Sequence, residues 1–149
     1  MSLDIDPRYN PTVCVDIFDW EYHQYPPGYF SLITASPPCT EFSRAKTVGE
    51  RDIAGASRIF LKTLEIIGYL QPQIWWLEIP RYGFLPKQDF MAHLPFWDVD
   101  YCQFGSEGFK KPTRIFGSTH LTGKTPSPFL RVSQQDQYAK LPIIFQDFQ

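Results

Sequence analysis

Three kinds of side chain in this sequence have the types and spacing to do chemistry together: a thiol, carboxylates and a cluster of cations. Cys39 lies in Thr34-Ala35-Ser36-Pro37-Pro38-Cys39-Thr40-Glu41-Phe42-Ser43. The two prolines pre-set the backbone before the thiol and remove two amide donors, so such a turn can hold the side chain in one direction. A thiolate presented this way is a nucleophile; the plainer alternative is a small buried packing residue. Glu78 closes the apolar run Trp75-Trp76-Leu77-Glu78-Ile79-Pro80. A carboxylate there is costly unless satisfied or used, and burial would let it donate a proton near neutral pH. The alternative is an exposed residue just past a strand. Lys110, Lys111 and Arg114 form a basic cluster after a glycine-containing loop, which by default is a solvated surface. Asp4, Asp6 and Asp16 stand at the ends of two short apolar stretches. Carboxylates at strand ends can accept hydrogen bonds from ribose hydroxyls; singly, each also reads as a solvated turn residue.

The elements that must position these groups are short, because 14 prolines punctuate the chain. Residues 2–5 and 12–17 read as strands. Residues 29–35 are apolar and β-branched, a buried strand that ends just before Cys39. From 53 to 70, Ile59, Phe60, Thr63, Leu64, Ile67 and Leu70 recur at helical spacing, and Pro72 stops that helix. Residues 74–79 read as a second buried strand, 87–94 as a short helix, and 97–104 and 114–117 as two late strands. The tail from Ser133 reads as a helix interrupted at Pro142. Strand and helix alternate through the middle, which argues an α/β fold with a mostly parallel sheet. Cys39 then sits at the carboxyl end of a central strand, where ligands bind in such sheets.

A chain of 149 residues, 43% hydrophobic and 17% aromatic, supports one domain, residues 1–149, with a real core. The net charge is -2 and the pI about 5.9. No overall basic field is available for duplex nucleic acid, so any such contact must be local. Cys14, Cys39 and Cys102 are odd in number and widely spaced. They suggest no zinc site and no disulfide framework, which fits a reducing, intracellular compartment. No signal peptide or long apolar run appears, so no membrane contact is expected.

Ser-Pro-Pro-Cys-Thr-Glu-Phe-Ser resembles the Pro-Cys motif of the cytosine-5 DNA methyltransferases, most of all compact, phage-type members. The resemblance runs from about Leu3 to Gly117. It implies a Rossmann-like, S-adenosylmethionine-dependent methyltransferase fold with DNA as substrate. It assigns Cys39 as the nucleophile that adds to carbon 6 of cytosine. Glu78 matches the glutamate of the Glu-Asn motif and would protonate ring nitrogen 3; the motif's asparagine is Ile79 here. Lys111-Pro112-Thr113-Arg114 resembles a Lys-Pro-Thr segment of phage-type members, with Arg114 contacting the oxygen at carbon 2 and Lys111 in support. Asp4 takes the ribose-binding position and Ile5 stacks on adenine. Asp16 and Ile17 match the motif that contacts the adenine amino group, and Pro37 borders the cofactor. Arg44, Lys46 and Arg51 fall in the loop that closes over DNA in the family, where they would contact phosphates. Cys102 reads as packing.

Two family features have no counterpart. The glycine-rich turn that cradles the methionine half of S-adenosylmethionine is absent, together with the first strand of the sheet, so the chain alone is expected to bind that cofactor weakly or not at all. The target-recognition domain is also missing. The gap between the strands ending near Asp4 and Cys39 is expected to be closed by the chain itself, by a homodimer, by an exchanged element or by a complementary polypeptide. Two functions follow: a methyltransferase, or a truncated or split, catalytically inactive homologue that binds nucleic acid or a partner.

Overall fold

The computed structural model describes residues 1–100 and 111–118, and the backbone of residues 143–146. Seven strands form one sheet. They are β1 (Ser2–Asp4), β2 (Val13–Cys14), β3 (Leu32–Ala35), β4 (Ile74–Pro80), β5 (Phe96–Asp100), β6 (Pro112–Gly117) and β7 (Ile143–Gln146), in the order β2-β1-β7-β3-β4-β6-β5. The crossover from β3 to β4 is the helix α1 (Ile53–Leu70).

The helix forms where its periodicity predicts. Asp52 caps it by accepting the Gly55 N–H at 2.7 Å, which satisfies one of the free donors of the first turn. It ends at Gln71 in the left-handed conformation, with the Gln71 N–H on the Ile67 carbonyl, and Pro72 forbids another turn. Its buried stripe is Ala56, Phe60, Thr63, Ile66, Ile67 and Leu70. Leu3, Trp20, Phe30 and Ile33 pack with the helix's C-terminal half. Phe42, Leu77, Ile79, Leu85, Met91 and Phe116 pack with its N-terminal half. Complete burial of one such ring or aliphatic chain stabilises by about 1.5–3 kcal/mol. These contacts fix α1 on one face of the sheet and hold the ends of β3 and β4 together.

Three expectations are corrected. The sheet is mixed rather than mostly parallel: β1 pairs β2 and β3 pairs β4 in parallel, whereas the other four pairings are antiparallel. The helix expected at 87–94 is replaced by two 3-10 turns, Leu85–Lys87 and Asp89–Met91, because Gln88 between them is extended (φ -74°, ψ 140°) and breaks the run. The apolar end of the tail is a strand, not part of a helix. β7 runs antiparallel between β1 and β3, with Ser2 opposite Ile144 and Thr34 opposite Ile144. Two strand edges one strand apart present rows of unpaired amides and carbonyls that need a partner. The chain supplies that partner itself, so the opening that argued for a homodimer or a complementary polypeptide is filled. Residues 101–110 and 119–142, with Cys102, Lys110 and the start of the tail, lie outside the described residues.

Candidate functional site

The parallel strands bring most of the candidate residues to one carboxyl edge. β1 ends at Asp4, β2 at Cys14, β3 at Ala35 and β4 at Pro80. β6 starts at this same edge, because Thr113 lies opposite Pro80.

The Cys39 turn is built firmly. Cys39 leads a 3-10 turn, Thr40–Phe42, and its carbonyl accepts the Phe42 N–H at 3.0 Å. Phe42 is buried beneath it, and the Phe42 carbonyl accepts the Phe84 N–H at 2.9 Å. A Cβ on Gly83 would stand 2.9 Å from that carbonyl, so only glycine lets the two segments approach this closely. The thiol is half-buried and lines a narrow cavity with Ile79, Pro80, Tyr82 and Leu85. On the other side of the turn, an open cleft of about 460 Å³ is lined by Phe18, Pro38, Thr40, Glu41, Asp52, Gly55, Ala56, Arg58 and Ile59. The Arg58 guanidinium lies 5.2 Å from the Phe18 ring centre there.

Glu78 and Arg114 do not meet. Glu78 lies opposite Ile115, and Ile79 lies opposite Arg114. Directly paired residues share a face and neighbours alternate. Arg114 therefore projects from the face that carries α1, and Glu78 from the reverse face. There Lys111 Nζ lies 3.3 Å from Glu78 Oε1. Arg114 instead grips Asp98 through Nε at 2.7 Å and Nη2 at 3.0 Å, and these bonds hold the Asp98 carboxyl below its ordinary pKa. Lys111, which the sequence reading gave a supporting role, is thus the cation on Glu78.

The acidic strand ends are partly engaged. Asp4 Oδ1 accepts the Asp6 N–H at 2.8 Å, and Asp16 Oδ1 accepts the Phe18 N–H at 3.0 Å. Asp6 is bound to Arg8. Ile5 is 64% exposed. Pro37 and Ile17 stand next in sequence to the cleft residues Pro38 and Phe18. Phe18, Arg58 and Asp98 were missed in the sequence, where nothing but an aromatic after Asp16-Ile17 and an acid in an alternating strand marked them.

The loop after Cys39 is tied to itself. Arg51 Nη1 donates to the Glu41 and Ser43 carbonyls at 2.6 and 2.8 Å, and Nη2 donates to the Lys46 carbonyl at 2.6 Å. Lys46 pairs with Glu41 at 2.5 Å and keeps that carboxyl below its ordinary pKa, helped by the Asp52 N–H. Two of the three cations expected on phosphate are therefore bound within the loop, and Arg44 is exposed. Among the described residues, no group of three His, Cys, Asp or Glu side chains could hold a metal ion. Among the same residues, no helix is long and apolar enough to cross a membrane.

Helix on sheet, with a thiol turn and acidic strand ends along one carboxyl edge, is compatible with an α/β fold whose candidate residues gather at that edge. Among curated proteins, the chain is similar to a probable DNA (cytosine-5)-methyltransferase of Frog virus 3 (isolate Goorha), with 31% identity over 140 residues. The match covers 85% of this chain and 62% of that protein, so the chain spans less than two thirds of its relative. The similarity supports the cytosine-5 DNA methyltransferase family. No protein-family model matches, and no solved structure matches.

Proposed function

We propose that the chain is the catalytic part of a DNA (cytosine-5)-methyltransferase. The observation that carries this reading is the Pro37-Pro38-Cys39 turn at the carboxyl edge of β3, with its thiol in a cavity with Ile79 and Pro80 on the face that carries α1; Glu78 leaves the same strand end from the reverse face, where it meets Lys111.

Cytosine carbon 5 is a weak nucleophile. Addition of the Cys39 thiolate to carbon 6 forms a C–S bond and pushes electron density onto carbon 5, while Glu78 delivers a proton to ring nitrogen 3. Lys111, in contact with Glu78, is assigned to the oxygen at carbon 2 in place of Arg114. Loss of the carbon 5 proton after methylation restores the double bond and expels the thiolate. The target base must leave the duplex to reach Cys39.

The residues present fit the nucleoside half of S-adenosylmethionine. Asp4 and Asp16 each keep one carboxylate oxygen beyond the backbone amide already bound. Ile5 and Phe18 offer exposed apolar surface at 64% and 41%. Bound there, S-adenosylmethionine would supply an electrophilic methyl group. No glycine-rich turn is present for its methionine half.

The occupied position between β1 and β3 favours a second reading, a binding module without activity. The test is DNA carrying 5-fluorocytosine, incubated with the chain and S-adenosylmethionine. Fluorine cannot leave as a cation, so methylation traps the C–S bond. An adduct lost in Cys39→Ser is expected; an adduct that survives Cys39→Ser removes Cys39 as nucleophile, and none at all favours the binding module.

A further inference from the structure

On the face that carries α1, five side chains form one continuous ladder across the ends of β4, β6 and β5. The Arg81 guanidinium lies 5.6 Å from the Tyr82 ring centre and pairs with Asp98 at 3.1 Å. Asp98 is also held by Arg114, whose guanidinium lies 3.8 Å from the Phe96 ring centre. Arg51 lies 5.2 Å from the Phe84 ring centre beside the Cys39 turn. Tyr82 and Phe96 are large rings left 60% and 45% exposed, and Tyr82 lines the same narrow cavity as Cys39.

The geometry points to a docking surface for single-stranded nucleic acid that leads outward from Cys39. Exposed rings backed by guanidinium groups stack unpaired bases; the guanidiniums brace the rings, with Arg51 held by loop carbonyls and Arg81 and Arg114 by Asp98. Three guanidiniums, from Arg51, Arg81 and Arg114, stand here with the carboxylates of Asp98 and Asp100. The surplus of positive charge is small and the chain's net charge is -2. Stacking rather than charge must then supply the affinity, which favours an unpaired strand over a duplex. The inference rests on the methyltransferase reading only in naming Cys39 as the place where the strand arrives.

Fluorescence anisotropy with a short labelled single strand, and with its duplex, tests the surface without a methyl donor. The full chain is expected to bind the single strand more tightly. Tyr82→Ala and Phe96→Ala should each weaken binding about tenfold, the scale of one lost base stack. Phe96→Leu keeps an apolar contact for Phe116 and should weaken binding too. Leu61→Ala, on the outer side of α1, should not. Equal binding by the wild type and the ring variants overturns the surface, as does preference for the duplex or no binding of the single strand. The two readings fail separately. An adduct at Cys39 with binding indifferent to both rings sinks the surface alone. Binding through both rings with no adduct sinks the methyltransferase reading alone.

Discussion

A strand exposes its side chains alternately, so residues on neighbouring strands can lie one register step apart and still face away from each other. That is the relation between Glu78 and Arg114, and it separates two cations that look equivalent in Lys111-Pro112-Thr113-Arg114. The consequence is a pair of unlike mutants. Lys111→Met should slow chemistry on cytosine by roughly 10- to 100-fold, as loss of one charge-stabilising group does, while leaving the melting temperature near wild type. Arg114→Met should do the reverse. It breaks a two-point pair with Asp98 and a stack on Phe96, at a cost of about 1–2 kcal/mol in denaturant unfolding, with Asp98 still held by Arg81. Equal loss of activity in both would return Arg114 to the site. Neither the face of Arg114 nor its partner was legible in the sequence, because both depend on a register set between strands far apart in the chain.

Among the elements, the turn and loop between β3 and α1 is the most sensitive to solution conditions. Lys46 and the Asp52 N–H lower the pKa of Glu41, so the charged form is favoured by the folded loop. A depressed carboxylate stabilises the fold above its unfolded pKa, about 4.3 for glutamate, and that contribution is lost as pH falls through the lower folded value. Amide hydrogen exchange of residues 41–52 should therefore accelerate below about pH 4. Glu41→Gln should exchange fast at neutral pH and lose the acid step; an unchanged acid step in that variant would assign it to another group. The end of β6 is rigid for a steric reason. A Cβ on Gly117 would lie 2.4 Å from the Trp75 carbonyl oxygen and 2.8 Å from the Trp76 ring. Backbone cannot yield cheaply there, so Gly117→Ala should destabilise by about 1–3 kcal/mol in a urea titration. A neutral result would mean that β4 and β6 separate more easily than their register implies.

For the whole molecule, the strand between β1 and β3 decides whether the sheet is continuous. Removing residues 143–149 should leave the edges of β1 and β3 open. Light scattering is then expected to show self-association and thermal unfolding to lose cooperativity; a cooperative monomer would show that β7 is dispensable. The parts of this fold legible in the sequence are those with local causes. Residues 53–70 carry a helical stripe and a proline stop, and the helix has those same bounds. The apolar runs before Cys39 and Pro80 are strands, and the Pro-Pro-Cys turn lies where they end. The tail is the opposite case. Ile143-Ile144-Phe145 is too short to declare a period, and its strand conformation comes from a vacancy between β1 and β3 that lies more than a hundred residues away in sequence.

The central claim is that Cys39 attacks carbon 6 of cytosine with Glu78 as the acid, and it can be tested without the methyl donor. Reversible addition makes carbon 5 basic enough to take a proton from water, and elimination can then release the hydrogen it first carried. DNA labelled with tritium at carbon 5 should lose its label to water in the presence of the wild-type chain. Glu78→Gln should slow that release about a hundredfold or more, and Cys39→Ser should abolish it. Release that persists in Cys39→Ser, or a wild-type chain that releases none, would contradict the claim.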